Sequence, residues 1–407
     1  MGRQEAVARS IAKAIVFGVE RTAKSPISFV LNLFSRIFAL YGVALNRTRP
    51  ADFAKLRGEK WGISDEEYLK SFKPEKGKKL DDMLSPVGDM GLSGSTFYAT
   101  ADQKFLVKSV PRHSEHTFFR NDLFVPYLDY MSSHPSSLLV RICDSLVADG
   151  ASLGRLFQLA PPHHIVMENI MHGREEAKSA GKPDWEHWDL KPTSYFYPER
   201  DIADGRLASE ATKSQLADEF DDKIVLSKKQ ANNFLKALEI DTKLLAEHNA
   251  VDYSLFLVRM KMESWEPPQM VATGDPTTSQ LWRTGVPSSD GEHVYRGAIL
   301  DFFWAKHKAK PMAMTMLVRL WNKVTSNKHG HMSITTSPDE YRSRTVDVGL
   351  VGGDITEGYA HKLRKLAKIV SRAPSKLAHG METISNQQLN SFVMADTDPL
   401  RNLPVLS

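Results

Sequence analysis

The sequence predicts an α+β protein of two lobes, an antiparallel-sheet first half followed by a mixed α/β, helix-richer second half. Three observations carry this. Between Leu84 and Glu168 short apolar runs alternate with turn residues. From Gln230 to Glu247 the apolar positions Phe234, Leu235, Leu238, Leu244 and Leu245 recur at helical spacing. With 407 residues, 42% of them hydrophobic, the chain is long enough for more than one core.

Along the chain, residues 1–80 read as a helical region. One or two helices are expected over 5–46, and a helical pair over Asp52–Phe72 in which Ser64, followed by Asp65, Glu66 and Glu67, is a good N-cap. Residues 81–170 form the first lobe. Its centre is a predicted hairpin, Thr96–Thr100 and Lys104–Lys108, turning at Ala101–Gln103 and entered through a Gly/Ser-rich segment. Helix is expected over Glu115–Tyr130, then short strands at Leu138–Leu146, Leu153–Leu159 and His164–Glu168. Residues 171–352 form the second lobe, with flexible inserts expected at 171–184 and 263–293, the latter punctuated by Pro-Pro and Gly-Asp-Pro. Residues 353–407 read as a basic helix and a loose tail.

The net charge of +4 is too small to indicate a nucleic-acid partner, but its distribution is uneven. Lys306 to Arg344 holds eight Lys/Arg against Asp339 and Glu340, and Thr356 to Lys376 six against Glu357. Such a face attracts phosphate, on nucleic acid or on an anionic bilayer. The single cysteine, Cys143, excludes an intramolecular disulfide and a cysteine-based zinc cluster, and Ile142 and Leu146 beside it suggest a buried thiol. No cleavable signal peptide is evident. The apolar stretch 26–45 carries Arg36 at its middle and reads as an amphipathic helix rather than a span, suited to a homodimer interface. The N-terminal Met-Gly-Arg-Gln-Glu-Ala lacks the Ser or Thr of a myristoylation signal, so any membrane contact is expected to be peripheral.

Several residues have the chemistry of phosphoryl transfer. Gly91-Leu92-Ser93-Gly94-Ser95 can bring backbone N–H groups close to phosphate oxygens, although such turns are common ahead of strands. Lys108 ends a hairpin strand, where it can point into a cleft and pair phosphates, and Glu115 could hold its ammonium. Asp252 and Asp301 stand in apolar frames, where a carboxylate is costly unless it meets a cation or donors. One carboxylate to orient an acceptor hydroxyl and one to hold Mg²⁺ are what this reaction requires. Either aspartate alone could be a cap; both, after a Gly loop and a lysine, form a constellation. Asp189-Leu190-Lys191 is uninformative in isolation.

In this order, Gly91–Ser95, Lys108, Asp189-Leu190-Lys191, Val251-Asp252-Tyr253-Ser254-Leu255 and Ile299-Leu300-Asp301 resemble the marks of the phosphatidylinositol phosphate kinases. Trp61–Leu69 looks like the segment ahead of the family's Gly loop, and Ser337–Arg344 like its activation segment; the likeness covers roughly residues 10–350. The resemblance implies a two-lobed lipid-kinase fold, ATP and Mg²⁺ as cofactors, and a phosphoinositide on an anionic membrane as substrate. It assigns Gly91, Ser93, Gly94, Ser95, Lys108, Glu115, Val166, Met167 and Asn169 to ATP, and Asp301 to the metal. Asp252, Lys108, Asp189 and Lys191 become catalytic, and Lys306, Lys308, Lys310, Tyr341 and Arg344 face the lipid. The implied location is cytoplasmic, peripheral on a membrane, the plasma membrane first.

Departures mark the chain as divergent. Pro192 and Thr193 stand where the family carries Gly-Ser, Tyr197 stands near the place of an arginine, and Ser343 replaces a glutamate carried by the 5-kinases. The competing reading is a degenerate kinase serving as a membrane-associated scaffold. A protein kinase is disfavoured: Asp252 is not followed five residues later by Asn, and Asp301 precedes Phe302-Phe303. Nucleic acid is disfavoured by the lack of an aromatic platform or helix-turn-helix pattern.

Overall fold

In the computed structural model the described residues are 2–18, 41–87, 95–149, 160–191, 220, 224–266, 281–305 and 342. All lie within a unit spanning Met1–Gly353; a second unit, Asp354–Ser407, and with it the expected basic helix and tail, falls outside them.

In chain order the elements before the first sheet's hairpin are α1 (Arg3–Phe17), β1 (Leu45–Arg47), α2 (Pro50–Lys55), α3 (Asp65–Lys70) and β2 (Leu84–Val87). Helix α1 buries Val7, Ala8, Ile11, Ala12, Ala14 and Ile15, one stripe at helical spacing, while its other face stays polar. The Ser64 cap forms as its sequence predicts, its side chain accepting from the Glu67 N–H at 3.1 Å.

The hairpin is β3 (Phe97–Thr100) and β4 (Phe105–Ser109). Gln103 closes its turn in the left-handed region at φ 55°, and Asp102 holds the corner by accepting from Ser71 and Thr100, both at 2.6 Å. Helix α4 (His113–Phe118) runs through a π-turn, Phe119–Leu123, into α5 (Phe124–Ser133). Strands β5 (Ile142–Ala148) and β6 (His163–Glu168) then complete a six-stranded antiparallel sheet of order β1-β5-β6-β4-β3-β2. β1 comes from the region read as wholly helical. Cys143 is buried and free, in keeping with a packing role.

A polar knot holds α2 and α3 to this sheet. The guanidinium of Arg57, fully buried, donates to the Cys143 carbonyl and to Asp65, and lies 4.0 Å over the Tyr68 ring. Asp144 pairs with Arg47 at 2.6 Å and accepts from the Tyr68 hydroxyl at 3.1 Å. Burial pushes the Asp144 carboxyl up, and the two arginines oppose that shift.

The second half differs from expectation in two respects. Its described residues are dominated by a four-stranded antiparallel sheet, with one long helix rather than a helix-rich body. The sheet uses β7 (Glu186–Leu190), β9 (Ser254–Lys261), β10 (Val286–Pro287) and β11 (His293–Leu300) in the order β10-β11-β9-β7, and a minor pair joins β8 (Ala250–Val251) to β12 (Trp304–Ala305). Residues 171–184, read as a flexible insert, instead fold around α6 (Arg174–Ser179). A bidentate Arg174–Asp184 pair at 2.8 and 2.9 Å closes that segment, and Ala177 and Trp185 enter the apolar core with Val258 and Met260. The long helix, α7 (Lys228–Glu247), opens with the Ser227–Gln230 capping box. Helix α8 (Leu281–Thr284) precedes β10. Among the described residues no helix is long and apolar enough to cross a membrane.

The two sheets are stitched where 137–140 runs beside β11. Val140 N–H donates to Ile299 at 3.0 Å and Ile299 N–H to Leu138 at 2.7 Å. Asp241 of α7, 2% exposed, secures the same strip by accepting from Tyr130, Ser137 and the Leu138 N–H at 2.6, 2.8 and 2.6 Å. Asp241→Ala, which orphans three donors, should lower stability by about 3 kcal/mol, and Asp241→Asn, which keeps an acceptor, by less than half of that. Urea unfolding checks both; equal losses would contradict the account.

Candidate functional site

Strand register, rather than sequence proximity, assembles the site. Leu300 lies opposite Ser254, and Leu190 opposite Leu255. Residues 191, 252 and 301 therefore follow or precede three adjacent strand ends on one edge of the four-stranded sheet. Asp252 and Asp301 interrupt their apolar runs with φ 65° and 64°. This left-handed geometry is uncommon outside glycine, and aspartate is among the side chains that tolerate it. It breaks the strand at the carboxylate, so each side chain leaves the ladder at the edge. A bond from Phe303 N–H to the Asp301 carbonyl at 2.8 Å fixes the second break.

Two ion pairs meet here. Lys191 Nζ lies 3.1 Å from Asp252 Oδ1, their side chains 13% and 35% exposed. Lys108, on β4 of the other sheet and buried, bonds Asp301 Oδ1. Lys108 thus spans from one sheet to the edge of the other, with Phe97 and Phe303 rings 5.2 and 5.8 Å from its ammonium. Burial pushes the Asp301 carboxyl up, but Lys108, helped by Lys191, outweighs it, and the net pKa lies below the ordinary carboxylate range.

Glu115 was expected to steady Lys108. Instead it accepts from Arg112 Nη1 at 3.1 Å, one helical turn away, while Lys108 is taken by Asp301. Arg112 in turn lies 5.7 Å over the Trp304 ring, just beyond Asp301. Burial raises the Glu115 pKa, and Arg112 and Lys108 oppose the shift. Ser95 is buried at the entrance to β3. Val166 and Met167 are buried on β6, between β4 and β5. The Asn169 amide is engaged with main chain, donating to the Gln103 carbonyl at 2.7 Å and accepting from Met171 N–H at 3.0 Å. Asp189 sits on β7 opposite Phe256, two residues from Lys191. Gly91, Ser93, Gly94, Lys306, Lys308, Lys310, Tyr341 and Arg344 lie outside the described residues.

Two participants escaped the sequence reading, the Arg112–Trp304 contact and the buried Arg283–Glu168 pair at 3.1 Å. Neither has a local signal, since each joins residues over a hundred positions apart.

The Asp301 shift has a consequence for stability. Its folded pKa lies below the unfolded value, so between the two the unfolded state binds more protons and stability rises with pH; the contribution is complete above about pH 4 and is lost as pH falls through the folded pKa. In Lys108→Met burial is no longer opposed by that ammonium, and the carboxyl moves up. Urea unfolding of both proteins with chelator present should show the variant less stable at pH 6, with the gap closing below about pH 4. A gap independent of pH would contradict the pairing.

Comparison with known proteins matches a family model described as phosphatidylinositol-4-phosphate 5-kinase over residues 78–280. A Plasmodium falciparum phosphatidylinositol 4-phosphate 5-kinase is 28% identical over 225 residues, 53% of this chain and 12% of that protein. A mouse phosphatidylinositol 4-phosphate 5-kinase-like protein 1 is 25% identical over 205 residues, 50% of this chain and 46% of its own. The human phosphatidylinositol 4-phosphate 5-kinase type-1 beta is 24% identical over 243 residues, 57% of this chain and 40% of its own. The chain therefore spans less than half the length of these relatives. The matched region contains Lys108, Lys191 and Asp252, and the chain is a divergent member of the phosphatidylinositol phosphate kinase family.

Proposed function

We propose that this chain transfers the γ-phosphoryl group of ATP to a phosphatidylinositol monophosphate at a membrane surface, converting the 4-phosphate to the 4,5-bisphosphate. The observation that carries the reading is the convergence of two lysine–aspartate pairs, Lys108–Asp301 and Lys191–Asp252, at one sheet edge. We read the two sheets as the two lobes of a kinase with the nucleotide between them. Lys108 would exchange Asp301 for the nucleotide phosphates, beneath the loop Gly91–Ser95. Val166, Met167 and Asn169 would flank the adenine. Asp252 would orient the inositol hydroxyl and take its proton as the new O–P bond forms and the β–γ bridging O–P bond breaks, leaving ADP; Lys191 and Asp189 would hold that carboxylate and the incoming phosphates in place.

The residues suit a divalent cation. Asp301 uses Oδ1 for Lys108 and its side chain remains 38% exposed, and Mg²⁺ needs only one or two carboxylates beside phosphate oxygens. Asp301 would hold Mg²⁺, which neutralises charge on the phosphates when bound.

The basic run Lys306, Lys308 and Lys310, with Tyr341 and Arg344, would face the lipid, at about 1 kcal/mol of attraction per cation near an anionic surface. We place the chain peripherally on the cytoplasmic face of a membrane, the plasma membrane first, with stretch 26–45 as a homodimer contact. Pro192, in the place of a family glycine, favours one alternative, a degenerate kinase acting as a membrane scaffold.

Phosphate transfer from labelled ATP to liposomes carrying phosphatidylinositol, its 4-phosphate or its 5-phosphate tests both. Transfer to the 4-phosphate is expected, with Asp252→Asn and Asp301→Asn each lowering kcat at least about 100-fold. No transfer by a folded, liposome-bound protein would give the scaffold. Replacing Lys306, Lys308 and Lys310 together by Ser should weaken liposome sedimentation about tenfold or more and leave ATP affinity within about twofold; equal loss of both would contradict a membrane-facing role.

A further inference from the structure

We propose that Arg283 is a positioning residue for the reaction, fixing the sheet that carries Lys108 against the edge that carries Asp301. The inference rests on the kinase reading for its catalytic meaning and on geometry for its substance.

Arg283 lies on α8, in a segment whose sequence reads as an insert, yet its side chain is only 6% exposed. One guanidinium serves four acceptors on three chain segments. Nη2 donates to the Ser137 and Leu139 carbonyls at 2.9 and 2.5 Å, on the strip that joins α5 to β5. Nη1 pairs with Glu168 at 3.1 Å, at the end of β6, and points at the Gly297 carbonyl of β11 at 3.4 Å. Glu168 is itself anchored, accepting from the Arg141 N–H at 2.8 Å.

β6 is the ladder neighbour of β4, with Ile165 opposite Lys108. β11 ends one residue before Asp301. Arg283 therefore ties the strand beside Lys108 to the strand that delivers Asp301, at the point where Ile299 already exchanges main-chain bonds with Leu138 and Val140 of this strip. A planar fork with five donors can hold such a divergent set of acceptors; an ammonium on a flexible stem cannot.

A second arginine reinforces the linkage. Arg296 of β11 donates to the carbonyls of Ile170 and His172 at 3.2 and 2.8 Å, just past the end of β6, and lies 4.7 Å over Trp185. Two guanidiniums on adjoining elements, one buried and one half-buried, thus grip the same connection. Neither touches the lysines or aspartates of the site, so Arg283 acts through alignment. Misplacement by about 1 Å can cost about 100-fold in rate.

The test uses three variants of the full chain, Arg283→Met and two others. Arg283→Lys keeps a cation but loses the fork. Arg283→Met/Glu168→Gln removes both charges of the pair, and Arg141, whose Nε lies 4.0 Å from Glu168, keeps its bond to the Pro135 carbonyl and its place over Trp61. In Arg283→Lys we expect kcat for phosphate transfer to fall about 30- to 100-fold with the KM for ATP within about threefold. The double variant should regain thermal stability relative to Arg283→Met alone without regaining kcat. Recovery of kcat together with stability would reduce Arg283 to a packing residue and overturn the proposal. Amide exchange at Val140 and Ile299 needs no activity; both should exchange at least about tenfold faster in Arg283→Lys and in the double variant, and unchanged rates would overturn the proposal. A wild-type chain that transfers no phosphate would defeat the kinase reading separately, leaving exchange to decide whether Arg283 holds the two sheets.

Discussion

The structure depends on a buried polar seam between two antiparallel sheets. Residues 137–140 exchange main-chain bonds with Ile299, and Asp241 and Arg283 saturate the donors and acceptors that this strip leaves over. Apolar contact alone would bring the sheets together without fixing their offset, because hydrophobic attraction has no direction. Hydrogen bonds have one. A seam in which each buried group has a specific partner selects one alignment, and that alignment lets an ammonium on β4 reach a carboxylate beyond β11.

The site is built on the same principle with charge added. Asp252 and Asp301 would be costly inside apolar strands, and the backbone resolves this by turning left-handed at each so that the carboxylates leave the ladder. Lysines from two other strands then compensate them, Lys191 from the neighbouring strand and Lys108 from the other sheet. Alternating cations and anions at a partly exposed edge can exchange partners with phosphate groups at little cost, since each charge already has a counterion to release. Glu115, held by Arg112 on its own helix, belongs to the wall beside the site, and Arg112 links that helix to Trp304 just past Asp301.

Membership in the phosphatidylinositol phosphate kinase family fits this arrangement. The glycine replaced by Pro192 directly follows Lys191, so the chain leaving that lysine has a fixed φ and one donor fewer. Lys108, Lys191, Asp252 and Asp301 are the residues that the geometry brings together.

Much of this was legible in the chain itself. The Ser64 cap, the hairpin around Asp102, the helical spacing within α7 and the apolar frames of Asp252 and Asp301 are local features, set by hydrogen bonds and periodicities within a few residues. Motif order supplied the candidate lysines and aspartates. Elsewhere local signals misled: residues 171–184 look polar and insert-like, yet the Arg174–Asp184 clasp and Trp185 fold them onto the second sheet. The second half reads as helical because α7 is strongly periodic, whereas β9 and β11 are buried and carry little alternation. The sequence by itself determined which residues could perform the chemistry, because residue type and motif order are properties of the chain. Only the tertiary structure decided that Lys108 meets Asp301 rather than Glu115, and that Arg283 sits at the seam. Those pairings join positions 193 and 115 residues apart, and they follow from strand register and burial, which no local stretch of sequence encodes.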